Sequence, residues 1–412
     1  MSPSRGVPVS PLLPAGPSRR PILVLSLGTF ALGTDAFVIS GVLPRIQHDL
    51  GVGLGAAGQL ITLFSVTYAL GAPVMAVLTA RWGRRNLLLL AMTAFVAANL
   101  VAAAAPTYAV LMGARVLAAL TAALFAPAAS ATAAMIAGPE QRGRALAAVL
   151  GGLTVANAVG VPLGTLIGQA LGWRSTFVFV AALSAVAVAG LAASLGPLPS
   201  PAVPSMRARV AVAGIPGVPT TLAATGFAMS GVFVLYSYLA WFSDAAAGVT
   251  GDLVSLVYLV AGLAAVLSNI AAGWLIDRLP ATRGAAWGMS GLVVTSLGLA
   301  ALGWAGGNLV TLCALLGAWS LIGWWFNPAH QQRLLAASGE HGPIALSLNS
   351  SAIYAGQALA GGMGALALGW GAPAVAALAG ALVMVALGFL AISERHQRPA
   401  ASASAVEREP AR

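Results

Sequence analysis

The sequence predicts an all-α polytopic membrane protein: twelve transmembrane helices in two six-helix halves, with both termini cytosolic. Three observations carry the prediction. Of the 412 residues, 59% are hydrophobic and only 7% are charged, against about 25% charged in a soluble globular domain. Twelve apolar runs each reach the roughly 17–25 residues that a helix needs to cross a bilayer. The arginines alternate between the loops as the positive-inside rule requires. A membrane β-barrel would show alternating segments of about ten residues, whereas these runs are longer and apolar on every face.

Residues 1–20 are rich in Pro, Ser and Gly and end in Arg19-Arg20. They are expected to form a disordered cytosolic tail, since the following run is too long and lacks the small-residue cleavage site of a signal peptide. The apolar runs follow at 21–43, 58–80, 86–105, 107–128, 146–168, 175–196, 217–242, 252–275, 284–305, 308–327, 343–366 and 371–392. With a cytosolic amino terminus, seventeen of the twenty arginines fall in inner segments, and only Arg45 and Arg174 fall outside. An odd number of spans would put the carboxy-terminal arginines outside, so the asymmetry also favours an even count. Residues 394–412 are expected to form a second disordered cytosolic tail.

The longest polar interruption, 197–216, carries several prolines with Arg207 and Arg209 and divides the chain six plus six, into halves 21–196 and 217–393. The halves resemble each other. Ala137-Gly-Pro-Glu140 aligns with Ala337-Ser-Gly-Glu340, Leu171-Gly-Trp173 with Leu368-Gly-Trp370, and the stretch Gly71–Arg85 with one ending Gly273-Trp-Leu-Ile-Asp277-Arg278. Three matches in one order indicate duplication, and two parallel six-helix halves around a midplane site are a transporter plan.

The net charge of +10 comes entirely from arginine, because the chain has no lysine. The bases are scattered through short loops, so no nucleic-acid face is expected. Without lysine there is no phosphate-binding G-x-x-x-x-G-K-[ST] loop; no nucleotide or other cofactor is expected, and the driver is expected to be an ion gradient. The histidines show no zinc spacing and no Ser/His/Asp set lies together, so neither a metal nor an enzyme activity is expected. The single Cys313 lies in an apolar run and reads as a packing residue.

Two charges stand inside apolar runs: Asp35 and Arg115. A lone ionisable group at the bilayer centre costs roughly 2.5–3.5 kcal/mol on insertion scales. At 1.5 Å per residue, Asp35 lies about 9 Å from the outer edge of a 30 Å core and Arg115 about 12 Å. They are level and can face one cavity; contact between them does not follow from the sequence. Asp35 is the expected acceptor of a proton or a cationic substrate, since desolvation favours its neutral form and a nearby guanidinium its ionised form. A permanent ion pair that merely orients two helices is the alternative.

Arg81-Trp-Gly83-Arg84-Arg85 ends the second span. These arginines suit a helix C-terminus and an anionic leaflet. With Asp277-Arg278 in the other half and Glu140, they also read as an inner gate that pairs in one state and parts in another. The fifth span carries Gly160-Val-Pro162-Leu-Gly164 and then Gly168, a smooth stripe for close helix contact with a proline that bends the helix. Polar and aromatic residues inside spans are the candidate substrate contacts: Asn157, Tyr236, Asn269, Trp319, Asn327, Tyr354 and Gln357, besides Asp35. Trp241 and Trp325 stand near span ends, where interface anchoring is the commoner use.

These residues resemble the major facilitator superfamily, and within it the twelve-helix drug:proton antiporters, over roughly residues 20–393. Gly71–Arg85 resembles the family motif after helix 2. Arg115, in Leu111-Met-Gly-Ala-Arg115, falls where the family has its membrane arginine in helix 4. Gly160-x-Pro162-x-Gly164 resembles the antiporter motif of helix 5. Gly33-Thr-Asp35-Ala-Phe, Arg81–Arg85 and Leu150-Gly-Gly-Leu-Thr-Val look most like the chloramphenicol-efflux and sugar-efflux branch. The chain departs from the pattern at Ala80, where the family usually has aspartate, and at Ala118 and Ala119, where it usually has Gln and Gly. The resemblance implies a monomeric, multi-pass inner-membrane transporter that exports small, partly apolar compounds in exchange for protons. Its rivals are a sugar or metabolite efflux permease, an importer, and a non-transporting membrane receptor or scaffold. Against the receptor stands the shortness of the extramembrane segments, about 20 residues at most by this reading of the spans.

Overall fold

Long apolar runs in this chain fold as helices because only a helix satisfies every backbone group within one membrane-crossing segment. The computed structural model describes residues 19–198, 204–276 and 278–406, and every regular element among them is helical. The first half contains α1 (Arg19–Leu50), α2 (Leu54–Leu78), α3 (Arg84–Ala103), α4 (Tyr108–Gly138), α5 (Glu140–Leu171) and α6 (Trp173–Ser194). A short surface helix, α7 (Met206–Ala213), lies in the connection. The second half contains α8 (Val218–Ser237), α9 (Leu239–Ala247), α10 (Leu253–Ile276), α11 (Ala281–Ala305), α12 (Leu309–Gly323), α13 (Phe326–Ser338), α14 (Gly342–Ala367) and α15 (Ala372–Val406). Eleven stretches among the described residues are long and apolar enough to cross a membrane. One of them, Leu309–Trp370, holds two crossings joined at Gly339–His341, which gives the expected twelve.

Several boundaries differ from the expectation. Pro44 does not end α1, which continues to Leu50 and stops at Gly51, φ 63°. Arg45 Nε donates to Gln169 Oε1 (2.8 Å) and Gln169 Nε2 to the Gly41 carbonyl (3.2 Å), so α5 braces α1 at the proline. The seventh crossing is broken at Tyr238, and the tenth at Trp324-Trp325. α13 carries the tenth crossing on to Ser338, well past residue 327. The last helix runs beyond 393 to Val406, so part of the stretch expected to be a disordered tail is helical. The connection 197–216 is also not featureless. The Leu198 carbonyl accepts from the Arg84 amide (3.3 Å), and Arg209 Nη1 donates to Ser347 Oγ of α14 (2.7 Å). Most of the expected amino-terminal tail, 1–18, lies outside the described residues.

The glycine stripe of α5 meets α1. Side chains added at Gly160, Gly164 and Gly168 would strike Thr34, Val38 and Val42 respectively. The Thr29 hydroxyl, in turn, donates to the Val149 carbonyl of α5 (2.6 Å). Just before Pro162 the backbone widens into a single π-turn, Ala156–Gly160, a feature that often marks functional positions in helices.

Each half packs its own apolar core, and aromatic residues cross between them. Phe37 of α1 stacks on Phe233 of α8 (centroids 5.7 Å apart) and meets Tyr236 edge-on (6.1 Å). α2 lies along α14, where Thr62 fills the space left by Gly361 and Ala365 that left by Gly55. α5 lies along α10, with the Asn157 carbonyl against Gly262. Both described ends of the chain lie on one face, called here the terminal face; the opposite one is the far face. These contacts between halves lie from mid-depth towards the far face.

Candidate functional site

Arg115 Nη1 donates to Asp35 Oδ2 at 2.7 Å, and the two side chains are 1% and 0% exposed. The pair joins α1 to α4. α2 supplies the third wall: the Phe64 ring lies 4.3 Å from the guanidinium carbon, a cation–π contact worth up to about 2 kcal/mol when desolvated. Phe64 in turn neighbours Tyr68 and Tyr354 (6.5 Å each), which stack on each other at 3.7 Å across the interface between halves.

The pairing is incomplete. Asp35 Oδ1 and the Nε and Nη2 groups of Arg115 are buried without a hydrogen-bond partner. Such orphaned groups are costly in a dry interior. A structural ion pair normally satisfies them.

Of the other candidate residues, Asn157 and Tyr236 are brought together. The Tyr236 hydroxyl donates to Asn157 Oδ1 (3.2 Å) across the interface, at the π-turn of α5. Gln357 is buried with its Oε1 unpaired. Asn269 donates to the Ala265 carbonyl of its own helix, and Asn327 accepts from Gln331 one turn along α13. Trp319 points away from the interface, with Nε1 3.3 Å from Ser296 Oγ of α11.

The expected gate residues stand at the terminal face. Arg85 caps the end of α6, donating to the carbonyls of Leu195 (2.6 Å) and Ala192 (3.1 Å). Arg84 is buried at the first turn of α3, and Gly83 precedes that helix. Arg81, Glu140 and Arg278 are exposed, and among the described residues no ion pair joins Glu140 to the arginines of this loop. Asp277 lies outside the described residues.

Two features escaped the sequence reading. The aromatic wall of Phe37, Phe64, Tyr68 and Phe233 was hidden because an aromatic residue in an apolar run carries no distinguishing pattern. More importantly, Asp35 and Arg115 are not the only deeply buried ionisable groups. His330 and Arg333, expected in a loop, lie on α13 at 0% and 4% exposure. The Thr225 hydroxyl stands 3.1 Å from both His330 Nδ1 and Asn349 Oδ1. Arg333 donates to Ser393 Oγ (3.0 Å) and to Thr282 Oγ1, and Ser393 is bonded to Thr221 (2.8 Å). This network ties α13 to α8, α11 and α15.

The family model described as Major Facilitator Superfamily matches residues 25–360. The chain belongs to the major facilitator superfamily. It is a multi-pass membrane transporter rather than an enzyme. It is 33% identical over 347 residues to the uncharacterised MFS-type transporter YbcL of Bacillus subtilis (strain 168), covering 83% of this chain and 87% of that one. It is 38% identical over 274 residues to a chloramphenicol resistance protein of Streptomyces lividans, covering 63% and 68%. Among solved structures, a bacterial homologue of the human lysosomal transporter Spinster, in an inward-facing and occupied conformation, matches with a TM-score of 0.73 at 17% identity, over 93% of this chain and 98% of that one. That likeness concerns the fold. The family assignment accounts for the duplicated halves, with the incompletely paired Asp35 beside the interface along which the two halves meet.

Proposed function

We propose that this transporter exports small, partly apolar compounds, of which a chloramphenicol-like antibiotic is one candidate, by proton antiport with alternating access. It resides in the bacterial inner membrane with both termini in the cytosol and works as a monomer. The observation that carries the reading is the buried carboxylate with one oxygen held by Arg115 and the other free. A proton arriving from outside goes to Asp35 Oδ1. Neutralising the carboxylate weakens its hold on Arg115, whose unpaired Nε and Nη2 then seek other acceptors, and the α1–α4 contact loosens. Substrate occupies the space between Asn157, Tyr236, Gln357 and the aromatic residues Phe37 and Phe233. Its partly apolar character follows from that lining, and the relative named for chloramphenicol resistance supports it.

With the contacts between halves lying from mid-depth towards the far face, the conformation described is inward-facing, with Asp35 itself still buried. In the opposite conformation Arg81, Arg84, Arg85 and Arg278 close the terminal face against Glu140 and Asp277. Each proton entering down 100 mV supplies about 2.3 kcal/mol, roughly a fiftyfold substrate gradient. No nucleotide or other cofactor enters the cycle.

The test is transport by Asp35→Asn in inverted vesicles, scaled to folded protein. Proton-driven accumulation of substrate should disappear while exchange down a gradient persists. Accumulation against a gradient by Asp35→Asn would remove Asp35 from the coupling step.

A further inference from the structure

We infer that the Tyr68–Tyr354 stack is a plug that shuts Asp35 off from water on the terminal face, and that Tyr354 is therefore a positioning residue for coupling. The inference rests on the proton-acceptor reading of Asp35, and two separate readouts keep the fates of the two distinct.

The geometry is specific. Tyr68 and Tyr354 belong to different halves, yet their ring centroids are 3.7 Å apart with an interplanar angle of 23°. Tyr68 lies ten residues from the terminal-face end of α2, and Tyr354 twelve from that of α14. At 1.5 Å per residue these are depths of about 15 and 18 Å. Asp35 lies sixteen residues from the start of α1, a depth of about 24 Å. The stack thus sits on the terminal side of the ion pair, with Phe64 filling the space between the tyrosines and Arg115.

Tyr354 is itself only partly buried. Asp35 at 0% is nevertheless dry. An unpaired carboxylate oxygen attracts water strongly, and the two rings lie between it and the terminal face. Because one ring rides on each half, relative movement of the halves is what opens or shuts the route. A proton taken up from the far face is then retained until the halves have moved, and does not leak through to the terminal side.

The experiment uses the single native cysteine to advantage. In a Cys313→Ser background, Asp35→Cys is exposed to a small charged methanethiosulfonate reagent in nanodiscs. The reagent should react slowly behind an intact stack, at least tenfold faster after Tyr354→Ala, and at the slow rate after Tyr354→Phe, which keeps the ring. The second readout keeps Asp35 in place. Proteoliposomes of Tyr354→Ala should leak protons without substrate, and adding Asp35→Asn should close the leak. Equal labelling rates with and without the Tyr354 ring, together with a proton-tight Tyr354→Ala, would overturn the plug. If the unsubstituted transporter shows no proton coupling but labelling still accelerates in Tyr354→Ala, the antiport reading fails and the plug stands.

Discussion

Removing either partner of the Asp35–Arg115 pair should not cost the same. Breaking a buried ion pair by deleting one side typically destabilises by about 3–5 kcal/mol, because a charge is left uncompensated. Asp35→Asn leaves the Arg115 guanidinium, 1% exposed, facing a neutral amide, and a guanidinium cannot shed its proton in a protein. The full penalty of about 3–5 kcal/mol then applies, eased by the cation–π contact with Phe64. Arg115→Met leaves a carboxylate, which escapes its penalty by taking up a proton. Its cost should fall to about 1–2 kcal/mol, mostly the lost hydrogen bond and imperfect packing. The double variant Asp35→Asn/Arg115→Met removes both charges, and replacing a buried pair in this way is often neutral or stabilising. It should therefore be more stable than Asp35→Asn alone. The assay is reversible unfolding of the purified transporter in mixed micelles, followed by tryptophan fluorescence for the four proteins of the cycle. Additivity of the two single effects to within about 0.5 kcal/mol would show that the groups do not interact energetically, and would refute the reasoning.

Two further outcomes follow from packing. Gly164→Ala should destabilise by about 1–3 kcal/mol, since its new carbon would lie 2.6 Å from Val38 Cγ2, whereas Gly113→Ala, with nothing within 4 Å, should be neutral or slightly stabilising; equal thermal midpoints for the two would argue against the α1–α5 contact. Arg333→Met removes the hydrogen bonds to Thr282 and Ser393 and should cost about 1–3 kcal/mol; an unchanged unfolding midpoint would show that the network does not hold α13.

The twelve crossings and the six-plus-six division were legible because a bilayer imposes one length and one polarity on every crossing segment. Asp35 and Arg115 were legible for the same reason: a charge in hydrocarbon stands out. What the sequence withheld was direction. Trp319 and Asn157 look alike as polar atoms inside apolar runs, but one faces Ser296 within its own half and the other Tyr236 across the interface. Helical periodicity cannot separate them when every face of a helix is apolar. Arg333 was misplaced for a different reason. Hydropathy ends the tenth crossing at the polar stretch Asn327-Pro-Ala-His-Gln-Gln-Arg333, yet the helix continues because Thr225, Asn349, Thr282 and Ser393 supply polar partners inside the bundle. A pattern of single residues has no knowledge of partners a hundred positions away.

The connection between the halves sets a limit on their movement. Its first end is fixed to the first half where the Leu198 carbonyl meets the Arg84 amide, and its second end to the other half where Arg209 meets Ser347. Only the seven peptide steps from Leu198 to Ser205, the residue that caps α7, are left to span the gap. Fully extended they reach about 25 Å, at roughly 3.3–3.6 Å per residue. While both anchors hold, the chain works as a stop of fixed length: however far the halves swing, Leu198 and the start of α7 cannot draw farther apart than that.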